Sequence, residues 1–337
     1  MKKILFLLGL IILISSCEKE EEDNLPGKNL IGTWELRDDG GLSRFDETKY
    51  WIFTEDDHFY ELYEDDFGIR DMWSRLYCVV DDVVSLEFEL IRFTVDNNEV
   101  TFEILYDGHS YFATFEKTAD VDYETWLIDF EVGYPEFTVF IDDRIDGLAW
   151  TGQKLWVVDW PWSSRLVEID INNGAVLQDL YINYCHGSIA YGNNTLITGY
   201  NGALYFRNPV NGSQTGNISV STYGTIDAIT YDGSDLWFFA RVGQGYEFAL
   251  VKCDFSGNIK QSVIFNSGVD DLAYGNGFLW IAMYDNIIKF NTNTFQAVEN
   301  YQIQNITHSG GNLSIEFING QLWIVDGQNN FYVSGLN

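Results

Sequence analysis

The strongest constraint in this chain is a motif that occurs five times in its C-terminal part. Aligned on a leucine, successive copies lie 40 to 43 residues apart. Each copy has an aromatic residue five positions before the leucine, and a turn containing Gly or Asn lies between the two. The aligned leucines are Leu155, Leu196, Leu236, Leu279 and Leu322. Apolar positions that alternate on either side of a tight turn predict short antiparallel strands.

A period of about 40 residues with this pattern is typical of a β-propeller, in which each repeat forms one four-stranded blade. The last copy supplies only three predicted strands, at residues 313–317, 321–325 and 330–334. Residues 137–141 precede the first copy and read as an apolar strand without another partner. We therefore expect residues 137–141 to complete the fifth blade, because this closes the ring and removes two exposed edges. Residues 137–337 are thus predicted to form a five-bladed β-propeller.

Two further columns of the repeat have structural meaning. Four copies have Trp directly after the leucine, and we expect this column and the aromatic column to pack between adjacent blades. An aliphatic residue lies seven positions before the leucine, and a small or short residue lies eight positions before it. The small or short residues are Gly147, Ser188, Ala228, Asp271 and Ser314.

The charge of the chain is strongly negative and unevenly distributed. The formal net charge of −32 argues against a nucleic-acid partner, since phosphates would be repelled. Residues 18–143 hold 35 acidic against 9 basic residues, whereas residues 144–337 hold 16 against 8. This asymmetry predicts a domain boundary near the start of the repeats.

The N-terminus has the features of an export signal. A basic Met1-Lys2-Lys3 precedes an apolar run that is too short to span a bilayer and ends at Ser15-Ser16-Cys17. This ending resembles the lipobox of bacterial lipoproteins, which implies that residues 1–16 are removed and that Cys17 is lipidated. The acidic run after Cys17 resembles a surface-export signal, so residues 17–28 are expected to be a tether. The resemblance implies a lipid-anchored protein of the outer membrane, exposed at the cell surface.

Residues 29–118 are predicted to form a small barrel. Strands are expected at residues 49–53, 58–63, 74–80, 84–93, 99–106 and 111–116, several with alternating apolar positions. The opening Gly32-Thr33-Trp34 resembles the start of lipocalin-like domains of bacterial lipoproteins. The mouth of such a barrel could hold an apolar ligand, but few strands leave little interior space, which favours a filled interior. Residues 119–136 are expected to be a packed connector.

Propeller topology collects the candidate binding residues. The links into the first strand of each blade and the hairpins between its second and third strands lie at one end of the propeller, which we call the loop face. The candidates there are Asp146, Trp160, Trp162, His186, Tyr200, Asp227, Arg241, Tyr246, Asp270 and Tyr284. The aromatic ones could stack on a sugar or a peptide, or else pack between blades.

Three of these candidates occupy one repeat position. Asp146, Asp227 and Asp270 could hold a divalent cation at the mouth of the channel, or each could cap its own strand in solvent. No other cofactor is expected, because the four histidines are scattered without metal-ligand spacing. Cys78, Cys185 and Cys253 are an odd number once Cys17 is lipidated, which does not support a full disulfide framework.

The first repeat also bears on catalysis. Asp146-Gly147-Leu148, followed by the run from Ser164 to Asp170 and by Gly174-Ala175-Val176-Leu177, resembles the opening blade of glutaminyl cyclotransferases. More loosely, the repeats resemble propellers of the NHL and YVTN types. The cyclotransferase resemblance implies a glutamate in the next blade and a Gln-Gly pair in the first. Here Gly187 stands at the glutamate position and Asp146-Gly147 replaces the Gln-Gly pair.

These departures shape the functional expectation. We expect a non-catalytic surface lipoprotein that binds a glycan, a peptide or a protein through the loop face. A cyclotransferase-type enzyme and a structural partner in envelope assembly are the alternatives.

Overall fold

The computed structural model describes residues 30–38, 48–80, 83–86, 89–106, 109–141, 144–159, 165–185, 187–242, 247–265, 267–304, 306 and 313–336. The expected signal peptide, Cys17 and the tether lie outside this range. The chain divides into two compact units, and the division falls between Leu127 and Ile128.

The first unit contains a closed antiparallel barrel in which each strand pairs with the next and the last pairs with the first. Its strands are β1 (Gly32–Asp38), β2 (Thr48–Phe53), β3 (His58–Glu64), β4 (Arg70–Val80), β5 (Val83–Leu86), β6 (Glu89–Asp96), β7 (Glu99–Tyr106) and β8 (His109–Lys117). Pairing of Trp34 with Lys117 and of Leu36 with Phe115 joins β1 to β8.

One strand prediction in the barrel was wrong. The single strand expected over residues 84–93 is a hairpin, in which Val84 pairs with Ile91 and Leu86 pairs with Glu89. The buried residues have even numbers in the first strand (Val84, Leu86) and odd numbers in the second (Ile91, Phe93). A continuous strand keeps one parity on its buried face, so this switch marks two strands.

Aromatic rings fill the centre of the barrel. The Trp51 ring lies 4.6 Å from the Phe115 ring, 4.7 Å from Phe102 and 5.2 Å from Phe59, measured between centroids. Its indole Nε1 donates to the buried carboxylate of Glu61 at 2.9 Å. Such contacts add to the free energy of burying the rings and leave the interior occupied by side chains.

The stretch expected to be a connector is divided between the units. Trp126 and Leu127 pack against Ile52 and Leu62 on the outside of the barrel. Directly afterwards, β9 (Ile128–Glu131) pairs in parallel with an outer strand of the second unit.

The second unit consists of blades of four antiparallel strands, and β9 adds a fifth strand to one of them. Blade one is β11 (Ile145–Trp150), β12 (Leu155–Asp159), β13 (Arg165–Ile169) and β14 (Val176–Tyr181). Blade two is β15 (Ile189–Gly192), β16 (Thr195–Tyr200), β17 (Ala203–Arg207) and β18 (Gln214–Ser219). Blade three is β19 (Tyr223–Tyr231), β20 (Leu236–Val242), β21 (Phe248–Cys253) and β22 (Ile259–Phe265). Blade four is β23 (Asp271–Gly275), β24 (Phe278–Met283), β25 (Asn286–Asn291) and β26 (Gln296–Gln304), which carries β9.

The fifth blade confirms the expected closure. It consists of β27 (Ser314–Ile318), β28 (Gln321–Val325), β29 (Asn330–Val333) and, from before the first repeat, β10 (Phe137–Thr138). The Phe137 ring stacks on Phe331 at 4.7 Å. The N–H of Glu136 donates to the carbonyl of Phe331 at 2.7 Å, and that of Val139 donates to Asn329 at 3.0 Å. The all-β fold with a barrel and a five-bladed propeller is therefore as predicted.

The column of small or short residues joins the innermost strands of neighbouring blades. The Ser188 hydroxyl donates to the carbonyl of Ile226 in the next blade at 3.4 Å, and the Ser314 hydroxyl to that of Ile145 at 3.3 Å. In blade four the carboxylate of Asp271 accepts the N–H of Ile315 at 2.9 Å. Short polar side chains suit this position because a longer one would push the strands apart.

The aromatic and tryptophan columns also pack as predicted. A Cβ on Gly192 would lie 2.5 Å from the Tyr231 ring, and one on Gly275 would lie 2.2 Å from the Phe317 ring. Tyr231 and Phe317 therefore lie directly on the backbone of the preceding blade. Among the tryptophans after the leucines, Trp156, Trp237 and Trp280 are fully buried.

Truncations test the closure. We expect residues 128–337 to fold, and residues 143–337, which lack β9 and β10, to unfold more easily. Loss of the backbone hydrogen bonds at Glu136 and Val139 and of the buried Phe137 surface should lower the free energy of unfolding by roughly 3–5 kcal/mol. Residues 133–337 serve as the control, because they lack β9 alone. Equal thermal midpoints for the fragments starting at 133 and 143 would contradict a stabilising role of the closure.

Candidate functional site

The structure describes six of the ten residues proposed for the loop face. Trp160, Trp162, His186 and Tyr246 lie outside the described residues. Asp146, Tyr200, Asp227, Arg241, Asp270 and Tyr284 are described, and they fall into three separate groups.

The first group joins two of the predicted carboxylates around Arg144. Asp146 is buried at the start of β11, and the Nε of Arg144 donates to its Oδ1 at 2.9 Å. Asp270 accepts the N–H of Tyr284 at 2.7 Å and that of Leu313. The charge of Arg144 acts on both carboxyls, and Asp146 acts on Asp270. Two aspartates from blades one and four therefore share one electrostatic environment.

Both carboxyls of this group have unusual acidities. Desolvation raises the pKa of Asp146 to about 7, against the opposing effect of Arg144. Desolvation likewise raises the pKa of Asp270 to about 7, against the opposing backbone hydrogen bonds from Tyr284 and Leu313. Near neutral pH this pair can thus donate or accept a proton.

Gly187 lies directly beside Asp146. A Cβ on Gly187 would lie 2.9 Å from the Oδ2 of Asp146, and the φ of Gly187 is +76°, which disfavours other residues. The carboxyl group of Asp146 therefore takes the space that a side chain at position 187 would need. Gly187 and Asp146, which come from the link before blade two and from blade one, are therefore in direct contact.

The second group consists of Asp227 and Arg241. The Oδ2 of Asp227 lies 3.9 Å from the Nε of Arg241, which is half exposed and lies over the Phe248 ring. Among the described residues, no three His, Cys, Asp or Glu side chains are arranged to hold a metal ion. The structure does not bring the three aspartates together as a cation site.

The third group is aromatic and contains, besides Tyr200, two residues outside the ten candidates, Tyr184 and Tyr205. Tyr200 lies 5.9 Å from Tyr184, whose ring stacks at 4.8 Å on Tyr205. The buried guanidinium of Arg207 donates to the carbonyl groups of Asn183 and Tyr184. Neither Arg207 nor Arg144 had a distinctive sequence signal, since neither belongs to an aligned column of the repeat. Tyr284 is exposed beside the first group, with a φ of +57°.

Two further observations concern thiols and membranes. Cys185 and Cys253 are free and buried, and desolvation raises the pKa of each thiol to about 12.

Within the described part of the chain, no helix has the length and apolar character needed to cross a membrane.

Comparisons with known proteins identify structural neighbours only. No family model and no curated protein sequence matches the chain. Glutaminyl cyclase from Myxococcus xanthus is 11% identical over 62% of this chain and 97% of its own, with a TM-score of 0.49. Regucalcin from Agrobacterium tumefaciens, a calcium-binding protein, is 10% identical over 62% and 95%, with a TM-score of 0.42. The WD40 domain of Neurospora crassa Pan2 is 10% identical over 93% and 92%, with a TM-score of 0.32.

The raised pKa values of Asp146 and Asp270 predict how stability depends on pH. The folded state retains the protons of Asp146 and Asp270 up to about pH 7, whereas the unfolded chain loses them near pH 4. Their contribution to stability is therefore complete below about pH 4 and is lost as the pH rises to about 7. We expect the free energy of unfolding from urea titrations to fall over this window, and to fall less in the Asp146→Asn/Asp270→Asn variant.

A matched control uses an aspartate with the opposite shift. Hydrogen bonds from Asn258 lower the pKa of Asp254, so Asp254→Asn should leave the fall between pH 4 and 7 unchanged. An equal fall in the double variant and the wild type would show that Asp146 and Asp270 do not cause it.

Proposed function

We propose that the loop face of the propeller binds a ligand without converting it, and that the chain is a lipid-anchored protein of the cell surface. The observation that supports non-catalytic binding is the position of Asp146 beside Gly187. The glutamate that the cyclotransferase resemblance implies has no room there, since its Cβ would lie 2.9 Å from Asp146 Oδ2. The carboxyl that takes this space is bound to Arg144 at 2.9 Å.

One observation favours an enzyme as the alternative. Burial raises the pKa of Asp146 to about 7, which suits a general acid or base at neutral pH. Asp146 could thus supply from blade one the proton transfer expected of the missing glutamate. This alternative predicts turnover of N-terminal glutaminyl peptides.

Binding and turnover can be measured on the same samples. We expect one class among neutral glycans, peptides and divalent cations to raise the thermal midpoint. A ligand at one hundred times its Kd adds about 2.7 kcal/mol to stability. The Asp270→Asn variant should weaken the shift, whereas Asp254→Asn, in a turn at the opposite end of the blades, should leave it unchanged.

The same samples, incubated with glutaminyl peptides, should show no release of ammonia. Release that is abolished by Asp146→Asn would replace the binding proposal with the enzyme. No shift with any ligand, together with a stable complex captured with another envelope protein, would favour the assembly role.

The proposed anchor is tested separately. Replacing Cys17 by Ser should move the protein from the membrane fraction to the soluble fraction, because acyl chains contribute about 0.8 kcal/mol per buried CH₂. Replacing Glu20, Glu21, Glu22 and Asp23 by Ala should keep it in the membrane pellet but protect it from protease added to intact cells. Membrane-bound wild-type protein that resists this protease would contradict surface exposure while leaving the lipid anchor in place.

A further inference from the structure

Three tyrosine rings form an aromatic surface at the loop face. Tyr184 lies in the link from blade one to blade two, Tyr200 ends β16, and Tyr205 lies in β17. The Tyr184 and Tyr205 rings are nearly parallel, 10° apart, and the Tyr200 ring meets Tyr184 at 61°. Tyr184 remains 48% exposed, so Tyr205 covers one face of its ring while much of the ring stays open to solvent.

The backbone of Tyr184 is held in a conformation that a bulky residue rarely adopts. Its φ is +60°, in the left-handed region that glycine and asparagine tolerate better. The side chains of Arg207 and Thr198 both donate to the Tyr184 carbonyl, at 3.3 and 3.2 Å. Arg207 is itself only 3% exposed. A buried charge thus stabilises a strained link that presents an exposed ring, an arrangement more typical of binding sites than of packing.

Uncharged polar groups are available at this surface. None of the three hydroxyls is hydrogen-bonded to another residue within the described part of the chain. Asn183 and Asn201, which flank Tyr184 and Tyr200, are both exposed. Their amides can donate and accept hydrogen bonds, as the hydroxyls of a sugar do.

We propose that Tyr184, Tyr200 and Tyr205 form a stacking subsite for a neutral pyranose sugar. The C–H face of a pyranose ring packs on an aromatic face, and its hydroxyls can be met by the phenols and amides at the rim. Residues 144–337 hold 16 acidic against 8 basic residues, and this excess of negative charge opposes acidic sugars. This inference rests on the proposed binding at the loop face and assigns a ligand class to it.

Native gel electrophoresis through soluble polysaccharides tests the subsite on the full chain. Mixed-linkage β-glucan, galactomannan and arabinoxylan are cast separately into gels, in which the acidic protein migrates freely. We expect at least one of them to retard the wild type. Tyr184→Gly should raise the apparent dissociation constant about tenfold or more, because it removes the ring. Glycine also tolerates the positive φ at this position, so the backbone of the link should be preserved.

Matched variants separate stacking from a change in folding. Tyr184→Phe keeps the ring and should bind within about threefold of the wild type. Tyr181→Ala removes a tyrosine that is 83% exposed on β14 and should not affect retardation. Equal retardation of Tyr184→Gly and the wild type would overturn the subsite.

The failure of this inference differs from the failure of the proposed function. If a peptide or a cation raises the thermal midpoint while no polysaccharide retards the protein, the loop face binds a ligand but the sugar assignment is wrong. If nothing tested shifts the midpoint or retards the protein, both are wrong.

Discussion

The propeller depends on contact between the innermost strand of each blade and that of the next. Any blade without a neighbour would expose an apolar face and an unpaired edge, so the ring must close. Here closure relies on Phe137 stacking on Phe331, and on Ser188, Asp271 and Ser314 bonding to the next blade. The same strands begin at the loop face, and the ring therefore also fixes the positions of Asp146 and Asp270.

Much of the fold was predictable because the repeat encodes it locally. A leucine with an aromatic residue five positions earlier defines a hairpin, and five such hairpins at even spacing leave few other architectures. The missing strand at the C-terminus identified residues 137–141 as its replacement. The hairpin at 84–93 was missed because an apolar run without Gly or Pro was read as continuous. The available signal was that the apolar residues change from even to odd numbers between Leu86 and Ile91.

The candidate site was less predictable because the repeat does not determine which side chains pair. The repeat aligned Asp146, Asp227 and Asp270 but could not show that Arg144 would associate with two of them and Arg241 with the third. Gly187 and Asp146 looked independent in the sequence. They are coupled only in space, across 41 residues of chain.

The link from blade one to blade two relates the carboxyl pair to the aromatic surface. Its residues Tyr184 and Gly187 both have positive φ, and the first carries the exposed ring while the second lies against Asp146. Burial raises the pKa of Asp146 and Asp270 to about 7, so near neutrality these groups can be uncharged hydrogen-bond donors. A neutral, hydroxyl-rich ligand would meet them without requiring a counter-charge. The carboxyl pair and the aromatic surface, which share this link, are therefore compatible with the same kind of ligand.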